Sequence, residues 1–315
     1  MKRTLAFACA SVLWTIGCTW AYSPIIDGAV SELEISVRDD SGDLLSDADV
    51  SVVYYVTPEK VNAVHGTTDT NGLFRCSGQT IGEVHVNVSK RGYYNSCIQP
   101  PFRQAEMEEV RLTRKWASTP VSVPVVLKKI RNPAHLILNG GDFQEMSYPA
   151  TNVVLGFDLE LFDWCPPFGR GKYDDLQLEY DFWRSPTNWF QVYSHLVLTM
   201  TNGVDGLYLA PVDEFSQLRH CHAANPGEVY LRRLEFVYDR RSGEVTQSRR
   251  MPQNEYMVFR TRTQTNDCGE VVSANYGLIF EKGKCGVKWN VRAYFNPIPN
   301  DTNLECIEEP RGKRR

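Results

Sequence analysis

The stretch TTDTNGLF, Thr67 to Phe74, decides how the N-terminal third of the chain is read. Oxygen-bearing side chains at alternate positions before a glycine resemble the start of a calcium-binding loop. With Thr67 as position 1, position 12 must be a bidentate glutamate, and here it is Gly78. Asn71-Gly72 suits the positive φ of a tight turn instead, and Asp69 can accept hydrogen bonds from the turn's N–H groups. The stretch therefore predicts a hairpin turn rather than a metal site.

Short segments typical of β-strands surround this turn on both sides. They are ELEISV, VSVVYYV, EVHVNVSK, GYY, EEVRLTRK and VSVPVVLKKI, with a polar loop before the turn. No helix-length crossover separates them, which predicts antiparallel sheets. About seven strands in a hundred residues are typical of a β-sandwich.

Three segments within residues 31–131 resemble the carboxypeptidase regulatory-like domain. They are VRDDSGDLLSDADV (Val37 to Val50), TDTNGLF (Thr68 to Phe74) and VSKRGYY (Val88 to Tyr94). The resemblance implies a prealbumin-like, seven-stranded β-sandwich of the carbohydrate-binding-like group, preceded by a linker at residues 22–30. Since this domain accompanies peptidases, outer-membrane transporters and adhesins alike, it implies a fold and no particular activity.

Residues 132–310 predict a second, larger all-β domain that begins at Asn132-Pro133. Its strand candidates include LQLEYDFW, WFQVYSHLVLTM, EVYLRRLEFVYD, YMVFRTRTQT, VVSANYGLIF and VKWNVRAYF. YDRRSGEV predicts a hairpin, and PVDEFSQLRH predicts a helix. We expect an antiparallel, jelly-roll-like sandwich, followed by a basic tail at residues 311–315. GFDLELFDWCPPFGRGKYDDL and YFNPIPNDTNLE resemble a group of exported bacterial proteins that carry the regulatory-like domain in front.

Residues 1–21 have the composition of a signal peptide. Lys2 and Arg3 precede an apolar run from Leu5 to Cys18, which is too short for a membrane span of about 20 residues. Cleavage after Ala21 is one expectation, and the Gly17-Cys18 ending leaves a lipid anchor at Cys18 as the alternative. Either way, we expect a protein exported to the periplasm, the outer membrane or the medium.

Charge and cysteine content limit the class of partner. The net charge of the whole chain is −4, and it becomes −6 when Lys2 and Arg3 leave with the signal. Nucleic-acid binders normally carry a basic stripe, so this balance argues against such a partner. Seven of the nine cysteines remain after cleavage, and Cys76–Cys97 and Cys268–Cys285 are the closest pairs along the chain. We predict a disulfide in each pair, because an exported protein meets oxidising conditions.

The sequence lacks the motifs of common enzyme classes. None of its six histidines has a glutamate three residues later, so the His-x-x-Glu zinc site of a metallocarboxypeptidase is absent. The Gly-x-Ser-x-Gly elbow of serine hydrolases and the phosphate-binding P-loop are absent as well. His220 and His222 could share a metal ion on a strand, but no third ligand can be assigned, so we predict neither a metal nor another cofactor.

Two groups of side chains remain as candidates for binding or chemistry. Carboxylates cluster at Asp158, Glu160, Asp163, Asp174 and Asp175, and acid pairs can serve glycoside hydrolysis. The period-two spacing of Asp158 and Glu160 instead favours the solvated face of a strand. Aromatic residues are dense between residues 157 and 190, and exposed rings there suit a sugar or a protein partner. We predict ligand contacts at Trp164, Phe168, Tyr173 and Trp183.

The sequence therefore favours an exported, non-catalytic protein of the bacterial cell envelope. Its sandwiches are expected to recognise a glycan or a protein, or to have a structural role. A hydrolase with an acidic site built from loops of the second domain is the alternative.

Overall fold

The structure is a computed structural model, and it describes residues 22–57, 59–101, 105–213, 216–249, 255–281 and 288–306. The signal peptide, the lipid-anchor residue Cys18 and the basic tail lie outside these ranges. Within them, none of the helices is both long enough and apolar enough to cross a bilayer.

The first seven strands form two facing sheets. They are β1 Ala29–Asp39, β2 Asp49–Tyr55, β3 Val61–Thr67, β4 Leu73–Thr80, β5 Val84–Ser89, β6 Ser96–Ile98 and β7 Val121–Leu127. One sheet has the order β4-β1-β7 and the other has the order β3-β2-β5-β6. Alternate residues of both sheets, such as Ile35, Val52 and Val86, are fully buried between them. The all-β sandwich predicted from the alternation is confirmed.

The turn at Thr67–Phe74 has the predicted local geometry but a different role. The Asp69 carboxylate accepts hydrogen bonds from the N–H groups of Asn71 and Leu73 at 2.8 and 2.9 Å. Gly72 has a φ of +68°, and a Cβ there would lie 2.7 Å from the Val37 carbonyl oxygen. However, β3 and β4 belong to different sheets. The prediction of a hairpin was therefore wrong, because the turn carries the chain from one sheet to the other.

Four other expectations for this sandwich were wrong. β1 and β7 pair in parallel, because β2 to β6 lie between them in the chain and no turn joins β1 directly to β7. The segment EEVRLTRK lies in the helix α2, Met107–Thr113, which follows the short helix α1, Pro24–Asp27. In α2, Val110 is buried and Leu112 is exposed. The two residues alternate in the sequence but do not form the buried face of a strand. β3 occupies the segment expected to be a polar loop. In GYY, Gly92 belongs to a turn and Tyr93 makes only an isolated bridge to Lys129, so this segment is not a strand.

Eleven strands of the described ranges form the second sandwich. They are β8 Ile137–Ser147, β9 Val154–Asp158, β10 Asp163–Trp164, β11 Leu176–Arg184, β12 Val192–Met200, β13 Gly206–Pro211, β14 Arg233–Asp239, β15 Thr246–Arg249, β16 Glu255–Thr265, β17 Val271–Glu281 and β18 Lys288–Phe295. The sheets have the orders β10-β9-β11-β12-β14-β15 and β13-β16-β17-β18-β8. All the pairs are antiparallel, and β14 and β15 form the predicted hairpin.

Both faces of the five-stranded sheet are covered. One face packs against the six-stranded sheet through residues such as Phe259, Trp289 and Phe295. The other face carries Tyr256, Tyr276 and other apolar residues, beneath the segments 221–224 and 302–306. Both faces of β16 and β18 therefore carry buried apolar residues, whereas period-two alternation in the sequence predicts only one buried face.

The predicted helix PVDEFSQLRH is absent from the described part of that segment. Residues 216–220 form bends, with Ser216, Leu218 and His220 buried and Gln217 and Arg219 exposed. This alternation is that of an extended chain, because one side of the segment packs inward and the other side faces solvent.

A buried carboxylate joins the two sandwiches. Glu305, which is 1% exposed, accepts hydrogen bonds from the N–H groups of Arg131 and Asn132 at 2.8 and 3.0 Å and from the Tyr94 hydroxyl at 3.1 Å. The Lys128 ammonium, from the end of β7, donates to the His220 carbonyl oxygen at 2.6 Å. These contacts come from both sandwiches and hold one against the other.

Candidate functional site

The predicted ligand contact at Trp164 is contradicted by its burial. Its side chain is 6% exposed, with ring centroids 5.1 Å from Phe157 and 6.4 Å from Trp289. Trp164 lies on β10, which pairs with β9 and turns the ring into the core between the sheets. The expectation of an exposed ring was wrong because β10 is only two residues long and too short to show alternation in the sequence.

Phe168 and Tyr173 lie on an ordered loop between β10 and β11. They are 45% and 54% exposed. The Tyr173 ring is covered on one side by the guanidinium of Arg262, whose central carbon lies 4.1 Å from the ring centroid. Of these two predicted contact residues, Tyr173 already has a partner within the protein.

Arg262 stands at the centre of the acidic cluster. It makes ion pairs with Asp158 at 3.4 Å, with Asp175 at 3.0 Å and with Glu160. Its φ of +54° places it in the left-handed region, at an irregularity in the pairing of β16 with β17. The buried carboxylate of Asp205 accepts the N–H group of Arg262 at 3.1 Å and so supports this strained backbone.

The oxygen atoms of Asp158 are also engaged by the backbone. Burial acts to raise the pKa of this carboxyl, but N–H groups of Leu161, Lys172, Tyr173 and Glu160 outweigh it and hold the pKa below its ordinary value. Asp158 is fully buried, so the expectation that it lies on a solvated strand face was wrong. Because its oxygens and those of Asp175 already have donors, we assign the cluster the task of holding the loop at 159–175.

Trp183 is exposed, as the sequence predicted from its place opposite Leu178 and Tyr180. It is 44% exposed on the outward face of β11, directly across from Tyr193 on β12. The turn between these strands carries Trp189 and Phe190, which are 69% and 54% exposed, with ring centroids 4.6 Å apart. We call Trp183, Trp189, Phe190 and Tyr193 the aromatic surface.

Arginine side chains border the aromatic surface. The guanidinium carbon of Arg241 lies 4.3 Å from the Tyr193 ring centroid, and that of Arg240 lies 5.6 Å from the Phe190 ring centroid. The Arg240 N–H group donates to the Val192 carbonyl oxygen at 2.8 Å, which fixes the end of β14 beside the turn. Guanidinium groups stacked on rings keep N–H donors at their edges, where a ligand can accept from them.

Trp183 and Tyr173 cannot share one ligand of small size. Tyr173 lies just before the first residue of β11, and Trp183 lies near the other end of that strand. Seven residues of strand separate Leu176 from Trp183, which corresponds to about 23 Å. The four predicted contact residues therefore do not form one site, and the aromatic surface gathers residues that adjoin Trp183 instead.

The predicted Cys76–Cys97 disulfide is contradicted by the structure. Both thiols are free, and a hydrogen bond of 3.2 Å joins Cys76 Sγ to the buried Tyr54 hydroxyl inside the first sandwich. Cys97 is exposed on the outward face of β6, in the other sheet. Spacing along the sequence does not show that the two cysteines belong to different sheets, with Cys76 between the sheets and Cys97 on the outer face of the four-stranded sheet. Cys268 is free, and Cys285 lies outside the described residues.

His220 and His222 point to different surroundings. The buried His220 ring donates from Nδ1 to the Cys221 carbonyl oxygen at 2.7 Å, and its ring lies 5.8 Å from that of Tyr294. His222 donates from Nε2 to the Lys129 carbonyl oxygen at 2.8 Å, at the contact between the sandwiches. Across the described ranges, no group of three or more His, Cys, Asp or Glu side chains could hold a metal ion.

Comparisons with known proteins give no family for this chain. No protein-family model matches it, and no curated protein matches it. The resemblance to the regulatory-like domain therefore remains a prediction.

Solved structures show only weak likeness. A 3-chlorocatechol 1,2-dioxygenase from Rhodococcus opacus 1CP is 15% identical, with a TM-score of 0.25 over 32% of this chain and 60% of that one. A chlorocatechol 1,2-dioxygenase from Pseudomonas putida is 17% identical, with a TM-score of 0.25 over 33% and 61%. A proposed carbohydrate-binding protein from Bacteroides uniformis ATCC 8492 is 9% identical, with a TM-score of 0.20 over 86% and 98%. The match thus spans less than two thirds of the dioxygenase chains, and scores this low carry no functional argument.

Proposed function

We propose that this chain is an exported, non-catalytic protein of the bacterial cell envelope that binds a glycan on the aromatic surface. The observation that carries the proposal is the exposure of three large rings, Trp183, Trp189 and Phe190, at one end of one hairpin. Contiguous exposed aromatic side chains on a soluble domain are a mark of an interaction site.

The chemistry of the surface suits sugar rings. Flat apolar ring faces of a saccharide can cover the aromatic rings and remove them from water. The guanidinium group of Arg240 can donate hydrogen bonds to hydroxyl or carboxylate oxygens of the same ligand, and so can Nη1 of Arg241, whose Nε and Nη2 are bonded to the Asp239 carboxylate. Trp183 and Tyr193 lie on β11 and β12, two central strands that are hydrogen-bonded on both sides, so a ligand would meet these two rings with little reorganisation.

The state of the acidic cluster favours binding over the alternative of hydrolysis. A retaining or inverting glycosidase needs two carboxyl groups that are free to exchange protons or attack the sugar. In this chain Asp158 and Asp175 are buried and bonded to Arg262, and Glu160 is paired with it too. Export to the cell envelope is supported by the positively charged start and apolar run of residues 1–21.

A glycan and peptidoglycan array with residues 22–315 tests the binding function. We expect retention on at least one polysaccharide and a loss of affinity of at least about tenfold in the double variant Trp183→Ala/Trp189→Ala. Phe168→Ala is the matched control, since this ring is similarly exposed but lies outside the aromatic surface. Thermal melting of each variant shows whether the fold is retained.

Two results would contradict the proposal. One is the absence of binding to every glycan of the array, and the other is unchanged binding by the double variant. If an envelope protein crosslinks at Trp189 and no glycan binds, the partner of the aromatic surface is a protein rather than a glycan. Cell fractionation of the full chain tests export separately, and protein confined to the cytoplasm would overturn that part.

A further inference from the structure

A groove lies on the outward face of the four-stranded sheet, in the first sandwich. Cross-strand register places His65 beside Ser51, Ser51 beside Asn87, and Asn87 beside Cys97. These side chains come from four adjacent strands, β3, β2, β5 and β6, and all four line the groove. A polar row therefore crosses the full width of the sheet.

The second sandwich supplies one wall of this groove. Ser216, Gln217 and Arg219 line it, and the Gln217 N–H group donates to the Asn95 carbonyl oxygen at 2.6 Å. The enclosed volume is about 730 Å³. This is within the range of small-molecule pockets, and the groove exists only where the two sandwiches meet.

The polar side chains of the groove make no hydrogen bonds or ion pairs among the residues that the structure describes. The side chains of Ser51, Asn87 and Gln217 make no hydrogen bonds with described residues, and Arg219 makes no ion pair with any of them. The hydroxyl of Ser216, a residue that is 2% exposed, is buried without a partner. On the next row of the sheet His85 is bonded to Glu83 at 2.9 Å and to Gln99 at 2.7 Å. Available hydrogen-bonding capacity is thus concentrated in the groove.

The residue types indicate the class of ligand. Hydroxyl and amide side chains both donate and accept hydrogen bonds, as the hydroxyl groups of a sugar do. Asp49 and Arg219 contribute one charge of each sign, so the groove favours a neutral ligand over a polyphosphate or another polyanion. The groove lies on a sheet face rather than at a strand edge, which does not suit the addition of a peptide strand.

The arrangement does not form a nucleophile and base. Cys97 and His65 stand on β6 and β3, three strand spacings or about 14 Å apart. A thiol and an imidazole this far apart cannot form a hydrogen bond or exchange a proton directly. The row is therefore suited to holding a ligand.

We propose that this groove is a second binding site, which takes a short neutral saccharide held between the two sandwiches. Asn87 and Ser51 hold it from the first sandwich, and Gln217, Arg219 and Ser216 hold it from the second. The site shares no residue with the aromatic surface and does not depend on the function proposed for that surface.

Titration calorimetry with a panel of neutral mono-, di- and trisaccharides tests the site on residues 22–315. We expect saturable binding by at least one sugar, weakened at least about tenfold by Asn87→Ala and by Gln217→Ala. Asn62→Ala is the matched control, because it removes an exposed asparagine of β3 that does not line the groove. The double variant Trp183→Ala/Trp189→Ala should bind the same sugar as tightly as the wild type.

Amide chemical shifts of the wild-type protein give a test that needs no variant. Addition of the bound sugar should move signals of residues on both walls, Asn87 and Gln217 among them. The proposal is overturned if no sugar of the panel binds at millimolar concentration, or if the shifts cluster at the aromatic surface. It is also overturned if Asn62→Ala weakens binding as much as Asn87→Ala does.

Discussion

The cluster around Arg262 and the groove beside Asn87 are both rich in polar side chains, but they differ in whether those side chains have partners. Arg262 makes ion pairs with three carboxylates and lies against the Tyr173 ring. In the groove, Asn87 and Gln217 make no side-chain hydrogen bonds within the described ranges. A polar cluster that satisfies itself stabilises a loop, whereas one that is unsatisfied can be completed by a ligand. The first looked like a site in the sequence, and the second did not.

The largest effect should come from breaking the satisfied cluster. Arg262→Ala leaves the buried carboxylates of Asp158 and Asp175 without their cation, and removal of one member of a buried pair costs about 3–5 kcal/mol. Urea unfolding monitored by tryptophan fluorescence measures this loss. The exposed pair of Arg75 with Glu34 provides the control, and Arg75→Ala should cost at most about 1 kcal/mol. Equal losses in the two variants would show that the Arg262 cluster is not a stabilising network.

A somewhat smaller effect is expected from His220, a buried residue whose ring makes one hydrogen bond among the described residues. The pKa of His220 is lowered from 6.5 to about 4, chiefly by burial, with a further contribution from the positive charges of Lys128 and Arg292 and against the opposing hydrogen bond to the Cys221 carbonyl oxygen. The unfolded chain binds a proton at this residue near pH 6.5, so stability is full above that pH and falls as the pH drops towards 4. The loss amounts to about 3 kcal/mol.

The variant His220→Phe isolates that loss. Its free energy of unfolding should depend less on pH between 6.5 and 4 than that of the wild type, because the protonation step is gone. Chemical denaturation at a series of pH values measures the difference. Parallel profiles for the two proteins would mean that His220 is protonated in the folded state as readily as in the unfolded state.

The smallest effect sharpens the comparison most. Ser51→Ala and Asn87→Ala should change the free energy of unfolding by no more than about 0.5 kcal/mol, because these side chains have no partners to lose. Differential scanning calorimetry without added sugar checks this. A loss above about 1 kcal/mol would place the groove side chains among the structural groups, as in the Arg262 cluster.

Strand alternation predicted much of the fold. β2, β5 and β11 each have the buried and exposed residues where period two places them. The segment of α2 was misread because one buried residue, Val110, is too little to distinguish helix from strand. The parallel pairing of β1 with β7 depends on contacts between residues more than eighty positions apart, which no local pattern contains.

The candidate sites were less accessible from the sequence. Trp183 was found because it stands out of phase with Leu178 and Tyr180, and the same rule failed for Trp164 on a two-residue strand. Arg262 gave no local signal, since its partners are 87 to 104 residues away. The groove row required the register of four strands and a segment of the second sandwich. Sequence shows which residues are polar, and only the fold shows which of them meet.

Glu305 connects the last part of the second sandwich to the start of that sandwich. Its carboxylate accepts a hydrogen bond from the N–H group of Asn132, 173 residues earlier, so both ends of the second sandwich are held together at one point. The wall segment of the groove, from Ser216 to Arg219, lies between Asn132 and Glu305 in the chain. The bonds of Lys128 to the His220 carbonyl and of Gln217 to the Asn95 carbonyl also hold this wall against the first sandwich. Removal of the Glu305 carboxylate should therefore loosen the wall and weaken the binding proposed for the groove, rather than detach the wall.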